Sequence, residues 1–349
     1  MSSSARTAQP TINDVAARAG VSKKTVSRVI NRESGLKGET RGKVEQAIAE
    51  LGYVPNPQAR ALARRRNMTL VLLHDNPNAQ TVLNFQKGVL RAIANSDLAL
   101  AVRPVDRTSP HMLDDVRGFL TRHRPLGVLI LPPISERDDL ARLCSSLDIP
   151  YVRVGSAPLD APDRCVASND SETVAAACRL LTQAGHTRIG FVRGPEGFRS
   201  AAEREQGFQA AIRTAGLTLD PSLCAPGNYR FESGVAAGQA LLHREDRPTA
   251  IFASNDEMAA GVMHVALEMG LAIPRELSVI GFDDSPTAQH IWPSLTTVRW
   301  PLIEMGELAA EKVAGRLLGH DQALAVPTIL PSEVVARDTV GPPEAGSRA

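Results

Sequence analysis

Aromatic side chains are scarce: Phe, Tyr and Trp make up 4% of the 349 residues. Hydrophobic residues nonetheless reach 43%, so Leu, Val, Ile and Ala must fill the interior. The chain is too long for one ordinary domain, and two or three are expected. Cysteine is also rare. Cys144, Cys165, Cys178 and Cys224 are far apart and form no C-x-x-C pair. That spacing lacks zinc-ligand pattern and argues against a disulfide framework. No apolar run approaches the ~18 residues needed to span a bilayer. The first ten residues, MSSSARTAQP, lack the apolar stretch of a secretory signal. A cytoplasmic protein without a membrane partner is expected. The chemistry-bearing motifs of common enzymes are missing as well. No G-x-G-x-x-G follows a core strand candidate, and neither G-x-x-x-x-G-K-[ST] nor G-x-S-x-G occurs. The eight histidines are scattered. No catalytic residue, no metal and no cofactor is expected.

Carboxylates are sparse in one place only. Residues 1–66 hold 13 Lys+Arg against 5 Asp+Glu (+8), and the remainder holds 26 against 33 (−7). A small basic head on a larger acidic body implies that the head alone meets nucleic acid. Residues 11–31 of that head, T-I-N-D-V-A-A-R-A-G-V-S-K-K-T-V-S-R-V-I-N, predict two short helices joined by a tight turn. Thr11 caps the first, with Asp14 three residues on. Gly20 sits where the chain must turn. Ser22 caps the second, with Val21 and Val26 at the staple positions. Val26, Val29 and Ile30 share one face of that helix. Lys23, Lys24, Ser27, Arg28 and Asn31 share the other, which is free of carboxylates and suits a DNA major groove. A third helix is predicted over Glu39–Leu51. Asn56 and Pro57 then start a helix of about two turns, too short to be stable alone in water.

From Met68 the pattern becomes alternating strands and helices. Strands are predicted at Thr69–His74, Leu98–Val105, Gly127–Leu131, Tyr151–Val154, Arg188–Val192, Thr249–Ala253 and Ser278–Phe282. Helices lie between them, as at Val82–Ala94, Ser171–Ala184, Ala201–Thr214, Phe231–Leu242 and Glu257–Met269. This order implies parallel sheets covered by helices, in two lobes, with a ligand cleft between them at the strands' carboxyl ends. Asp283 and Asp284 are adjacent at a strand end and point in opposite directions, which argues against a shared catalytic proton.

The headpiece, with E-T-R-G-K-V-E-Q-A-I-A-E-L-G-Y-V-P-N after it (39–56), resembles that of the lactose/galactose-repressor (LacI/GalR) family of bacterial transcription regulators. Counterparts continue in the body: Asp170 after a strand, A-G-H-T-R-I-G-F-V-R-G-P (184–195), E-R-E-Q-G-F (203–208), I-F-A-S-N-D-E-M-A-A-G (251–261), L-S-V-I-G-F-D-D (277–284) and P-S-L-T-T-V (293–298). The resemblance covers roughly residues 11–338. It implies an α/β protein with a three-helix helix-turn-helix headpiece (1–55), a hinge helix (56–67) and a two-lobed core of doubly wound parallel sheets like periplasmic binding proteins (68–340). The N-lobe would take 68–168 and 300–327, and the C-lobe 169–296 and 328–340, leaving 341–349 as a loose tail without a leucine heptad.

The same resemblance implies a homodimeric repressor of carbohydrate uptake or catabolism genes. It would bind a pseudo-palindromic double-stranded operator and respond to a sugar or sugar derivative. Lys23, Lys24 and Arg28 match base-reading positions; Thr25 and Ser27 match phosphate or base contacts. Leu62 matches the leucine that wedges into the minor groove, or else a buried hinge contact. Thr11, Ser22, Asn31, Asn56 and Ala59 complete the DNA-facing set, with Arg64, Arg65 and Arg66 near phosphates. One departure is Leu36-Lys37-Gly38, where the family has Val-Ser; the third helix therefore starts without a side-chain cap. Arg204, Asn255 and Asp283 match effector positions. Phe198, Tyr229 and Trp300 are candidate stacking surfaces, although Trp300 also suits an ordinary core position. Asn76, with Asn78, follows the first core strand in an altered version of the family's loop. The competing reading is a sugar-binding module of transport or signalling, without operator binding.

Overall fold

The computed structural model describes residues 10–30, 36–53, 67–318 and 329–344. Asn31, Asn56, Ala59, Leu62 and Arg64 to Arg66 lie outside the described residues, as does residue range 345–349. The chain divides into two compact units between Asn67 and Met68.

The first unit contains α1 (Ile12–Ala19), α2 (Lys23–Ile30) and α3 (Gly38–Leu51). Thr11 caps α1 through a capping box: Asp14 N donates to Thr11 Oγ1 at 3.4 Å, and Thr11 N donates to Asp14 Oδ2 at 2.7 Å. Gly20 ends α1 in the left-handed region at φ 65°, where a side chain would be strained. Val15, Ala16, Val26, Val29, Val44 and Ala47 form the small core. The N-cap of α3 is Lys37, which makes no side-chain capping bond, as the Leu36-Lys37-Gly38 departure predicts.

The second unit runs through β1 (Asn67–His74), α4 (Ala79–Ile93), β2 (Ala99–Pro104), α5 (Met112–His123), β3 (Pro125–Ile130), α6 (Asp138–Ser146), β4 (Tyr151–Gly155) and β5 (Cys165–Ser168). It continues with α7 (Asp170–Gln183), β6 (Ile189–Val192), α8 (Arg199–Thr214), β7 (Cys224–Ala225), α9 (Phe231–Leu242), β8 (Ala250–Ala253), α10 (Asp256–Glu268) and β9 (Ser278–Ile280). The chain ends with α11 (Pro286–His290), β10 (Thr297–Arg299), α12 (Leu302–Leu318), β11 (Ile329–Leu330) and β12 (Glu333–Val335). One sheet has the order β11-β5-β4-β3-β1-β2, and the other β7-β6-β8-β9. In the second, Phe191 pairs with Phe252 in parallel register. Strands such as β3, β4 and β8 are buried along their whole length, as parallel strands covered on both faces must be.

The chain passes between the lobes at β5–α7, β10–α12 and β11–β12. These crossings are bonded to each other. Ser332 N donates to Asn169 Oδ1 at 2.9 Å, and Trp300 Nε1 donates to Ser168 Oγ at 3.0 Å. β10 and β12 pair antiparallel.

Two sequence expectations change. Ile329–Leu330 pairs with Ala167–Ser168 of β5, so these residues belong to the first sheet, not the C-lobe; a two-residue strand carries too little alternation to be located from sequence. The segment from Gly341 to Glu344 is anchored instead of loose. Gly341 N donates to Ser278 Oγ at 3.1 Å, Gly341 O lies 2.9 Å from His186 Nε2, and Glu344 N donates to Arg275 O at 3.1 Å. Its Gly-Pro-Pro composition conceals that docking because backbone groups make it. None of the four cysteines is in a disulfide. No described helix is long and apolar enough to cross a membrane.

Candidate functional site

In the first unit the exposed surface of α2 is the candidate nucleic-acid face. Val26 and Val29 are buried, Lys23 and Lys24 are exposed, and Thr25, Ser27 and Arg28 are half-buried. Ser22 holds the helix start: Thr25 N donates to its Oγ at 3.1 Å, and its hydroxyl lies 2.9 Å from that of Thr25. The first turn has no acidic residue. The positive dipole end and the exposed Lys23 and Lys24 therefore lie together at the start of the helix.

In the second unit a cleft opens between the lobes at the strands' carboxyl ends. Its lining brings together all the sequence-predicted effector residues: Asn76, Phe198, Arg204, Tyr229, Asn255, Asp283 and Trp300. Asn78, Thr81, Pro132 and Ser200 complete it, and the empty space is about 340 Å³.

Arg204 is the centre of the cleft. It shares one face of α8 with Gly207, Phe208 and Ala211, and all four are buried. A Cβ at Gly207 would overlap the backbone of Ser171; its absence lets α8 lie against α7 and brings Arg204 to Asp170. Arg204 Nε donates to Asp170 Oδ2 at 3.1 Å, and Nη1 donates to Ser254 O at 2.6 Å. Ser168 Oγ donates to Asp170 Oδ1 at 2.5 Å while accepting from Trp300 Nε1. Thus Trp300, Ser168, Asp170 and Arg204 form one bonded chain through two lobe crossings. The guanidinium carbon lies 3.5 Å from the Phe282 ring centroid, 5.5 Å from that of Trp300 and 5.6 Å from that of Tyr229. Burial works against the cation, but Tyr229, Asp170 and Asp283 outweigh it and hold Arg204 charged. Three of its five N–H groups have no partner among the described residues.

Trp300 gives its only donor to Ser168, so it offers the cleft a ring and no hydrogen bond. It is 7% exposed, so a residue packed in the core also lines the cleft. Asn255 is largely committed: its Oδ1 caps α10 by accepting from Met258 N at 2.9 Å, and its Nδ2 donates to Tyr229 O at 2.9 Å. That second bond holds Tyr229 at φ 66°. Asp283 is also left-handed, at φ 121°. Two residues of the cleft wall thus carry backbone strain, as residues of functional sites commonly do. Burial pushes the Asp283 carboxyl well above the usual range; Arg204 opposes this, while Asp256 and Asp170 add to it.

Asn76 serves its own loop, accepting from Asn78 N at 2.9 Å and donating to Pro132 O at 3.1 Å. Asn78 instead crosses the cleft to Asp283. At the rim, Glu136 of the N-lobe accepts from Arg199 N at the start of α8, at 3.1 Å from Oε2, and Arg107 stacks 4.3 Å over Phe198. Sequence reasoning missed Glu136 and Arg107, which are outside any motif.

Residues 11–56 match the bacterial regulatory proteins of the lacI family, and residues 178–340 match the periplasmic binding protein-like domain. The transcriptional regulator CelR of Thermobifida fusca is 34% identical over 321 residues, covering 90% of this chain and 94% of that protein. The ribose operon repressor of Escherichia coli K12 is 31% identical over 307 residues, covering 88% and 93%. Among solved structures, a CelR–cellobiose complex superposes with TM-score 0.68 at 31% identity, covering 95% of this chain and 99% of that one. The lac repressor dimer bound to operator and the anti-inducer ONPF superposes with TM-score 0.76 at 25% identity, covering 96% and 100%. The helix-turn-helix unit, the two-lobed cleft core and these full-length relatives together place the chain in the LacI family of bacterial transcription regulators.

Proposed function

We propose that this regulator represses carbohydrate uptake or catabolism genes. It acts as a homodimer on a pseudo-palindromic operator, and a sugar or sugar derivative in the cleft sets its affinity. The observation that carries the reading is the pairing, in one chain, of a capped basic recognition helix with a cleft that combines an aromatic cage, a buried Arg204 and amide side chains. Polyhydroxyl ligands need flat apolar faces and fixed polar groups together. A non-enzymatic role fits the carboxylates. Asp256 accepts from Ser285 N and Thr297 Oγ1, and Asp284 pairs with Arg337 at 2.5 Å, so neither faces a substrate.

In this reading Lys23, Lys24 and Arg28 read base edges, Thr25 and Ser27 contact phosphates or bases, and Thr11 and Ser22 position the two helices. Closure of the lobes around the effector is coupled to DNA affinity only as far as the effector prefers one lobe arrangement. The test is a fluorescence-anisotropy titration with a duplex selected from a random palindromic library and a scrambled duplex. Lys23→Ala or Arg28→Ala is expected to reduce the preference for the selected duplex by ~1–3 kcal/mol per lost base contact. An unchanged preference overturns that assignment. Equal binding of both duplexes by the unaltered protein favours the sugar-binding module instead.

A further inference from the structure

The charges around the cleft do not balance. Arg204 is the only ionised base among the described residues that line it. Its guanidinium is already met by Asp170, and this pair is almost fully buried, with side-chain exposures of 3% and 0%. Asp283, the carboxyl of the lining, has no cation within ion-pair distance among the described residues; its side chain accepts from the neutral amide of Asn78 and feels Arg204 only at longer range. Asp256 lies close behind, fully buried and bonded to the loop that carries Asp283. Arg107, a cation at the rim, is held by Asp75 at 3.4 Å and by the Phe198 ring.

We infer that the cleft selects an uncharged polyhydroxyl ligand and excludes sugar acids and sugar phosphates. This rests on the sugar-effector reading above and narrows it. An anion entering the cleft meets a single arginine, whose charge is already shared between Asp170 and Asp283, and no second cation among the described lining residues. Like charges juxtaposed in a desolvated site oppose binding strongly. A phosphate-binding site requires the reverse, an excess of arginine, lysine or helix N-terminal donors. A neutral polyol needs no such excess. Its hydroxyls can donate to Asp283 and accept from the free N–H groups of Arg204, while its apolar face lies on Phe198 or Trp300. Burial pushes the Asp283 carboxyl upward; Arg204 opposes that push, and Asp256 and Asp170 add to it.

The experiment is thermal shift, followed by calorimetry, on the full-length protein at pH 7.5. The probes are matched sets: D-glucose, D-glucuronate and D-glucose 6-phosphate; D-ribose and D-ribose 5-phosphate; D-galactose and D-galacturonate; and cellobiose and cellobionate. A bound ligand raises the melting temperature by mass action. The expected result is a shift with a neutral sugar and binding at least about tenfold weaker for its acid or phosphate. In Asp283→Asn that ratio is expected to narrow, even where the neutral sugar also binds less well. An acid or phosphate that binds as tightly as its neutral counterpart, or more tightly, overturns the inference and leaves the sugar reading intact. No shift from any neutral or anionic carbohydrate overturns the sugar reading itself, and the inference with it.

Discussion

Asn78 Nδ2 donates to Asp283 Oδ2 at 3.3 Å, joining the two lobes across the mouth of the cleft from positions 205 residues apart. The same Asn78 is the N-cap of α4, its Oδ1 accepting from Gln80 N at 2.9 Å. One amide therefore ties the start of a helix in one lobe to the strained loop of the other.

Asn78→Asp separates these two tasks. Aspartate caps a helix as well as asparagine does, so α4 is expected to keep its start. The cross-cleft donor is lost, and two carboxylates then face each other. The lobes are expected to open, raising the radius of gyration of the ligand-free protein in small-angle scattering at pH 8. Effector affinity should fall by about tenfold, the scale of one hydrogen bond to a charged group at ~1.5 kcal/mol. The effect should shrink at lower pH, because the Asp283 carboxyl is already pushed upward and takes a proton easily. An unchanged radius and unchanged affinity at pH 8 would show that the bond does not hold the lobes.

The buried pair Asp170–Arg204 predicts non-additive energetics. Removing one partner leaves the other charge buried without its bonded counter-ion, at a cost of ~3–5 kcal/mol. Asp170→Leu and Arg204→Met are each expected to lower the urea midpoint sharply. The double substitution should recover much of the loss, since an apolar replacement of a buried pair is often neutral. Losses that simply add would mean that the two side chains contribute independently.

How much of this was legible in sequence depends on how local each feature is. The headpiece caps at Thr11, Gly20 and Ser22 are decided within three or four residues, and the structure places them as the sequence predicts. The cleft residues Arg204, Asn255 and Asp283 lie in linear motifs at strand and helix ends, so the resemblance reached them, and the structure gathers them in one cleft. The division of labour between Asn76 and Asn78 was not legible, because it depends on where the opposite lobe puts Asp283. The same holds for Asp170, which stands out as a motif residue but shows its partner only when Gly207 brings α8 onto α7. Strands such as β7 and β11, two residues each, leave no periodicity to read.

Asp256 predicts a pH dependence of stability. Burial raises its carboxyl from 3.8 to about 7, against the lowering effect of its bonds from Thr297 and Ser285. A group whose native value is raised takes up a proton on folding. Its contribution to stability is therefore greatest below pH 3.8, declines as pH rises, and is lost once pH passes about 7. Asp256→Asn can still accept from Ser285 N and donate to Thr297 Oγ1, and it does not titrate. The stability of the unaltered protein relative to this variant should fall steadily between pH 4.5 and pH 7 and then level off. A constant difference in urea midpoint over that range would mean that Asp256 titrates normally.

Two helical glycines predict opposite outcomes from the same substitution. At Gly118, in α5, a Cβ meets nothing within 4 Å. Gly118→Ala removes only the entropic disadvantage of glycine in a helix, so it should stabilise the protein by ~0.5–1 kcal/mol. At Gly207 the same methyl overlaps the carbonyl of Ser171. Gly207→Ala must push α8 away from α7, with an overpacking cost of ~1–3 kcal/mol. The damage should not stop at stability. Gly207 is one turn from Arg204 on the same face, so displacing α8 draws the guanidinium from Asp170 and from the Phe282 ring. Effector binding should therefore weaken in Gly207→Ala under conditions where the protein is still fully folded, and remain normal in Gly118→Ala. Calorimetric titration with whichever sugar shifts the unaltered protein, run well below the melting temperature of both variants, separates the two effects. Equal effector affinity in both would show that the helix contact at Gly207 sets stability alone and does not position Arg204.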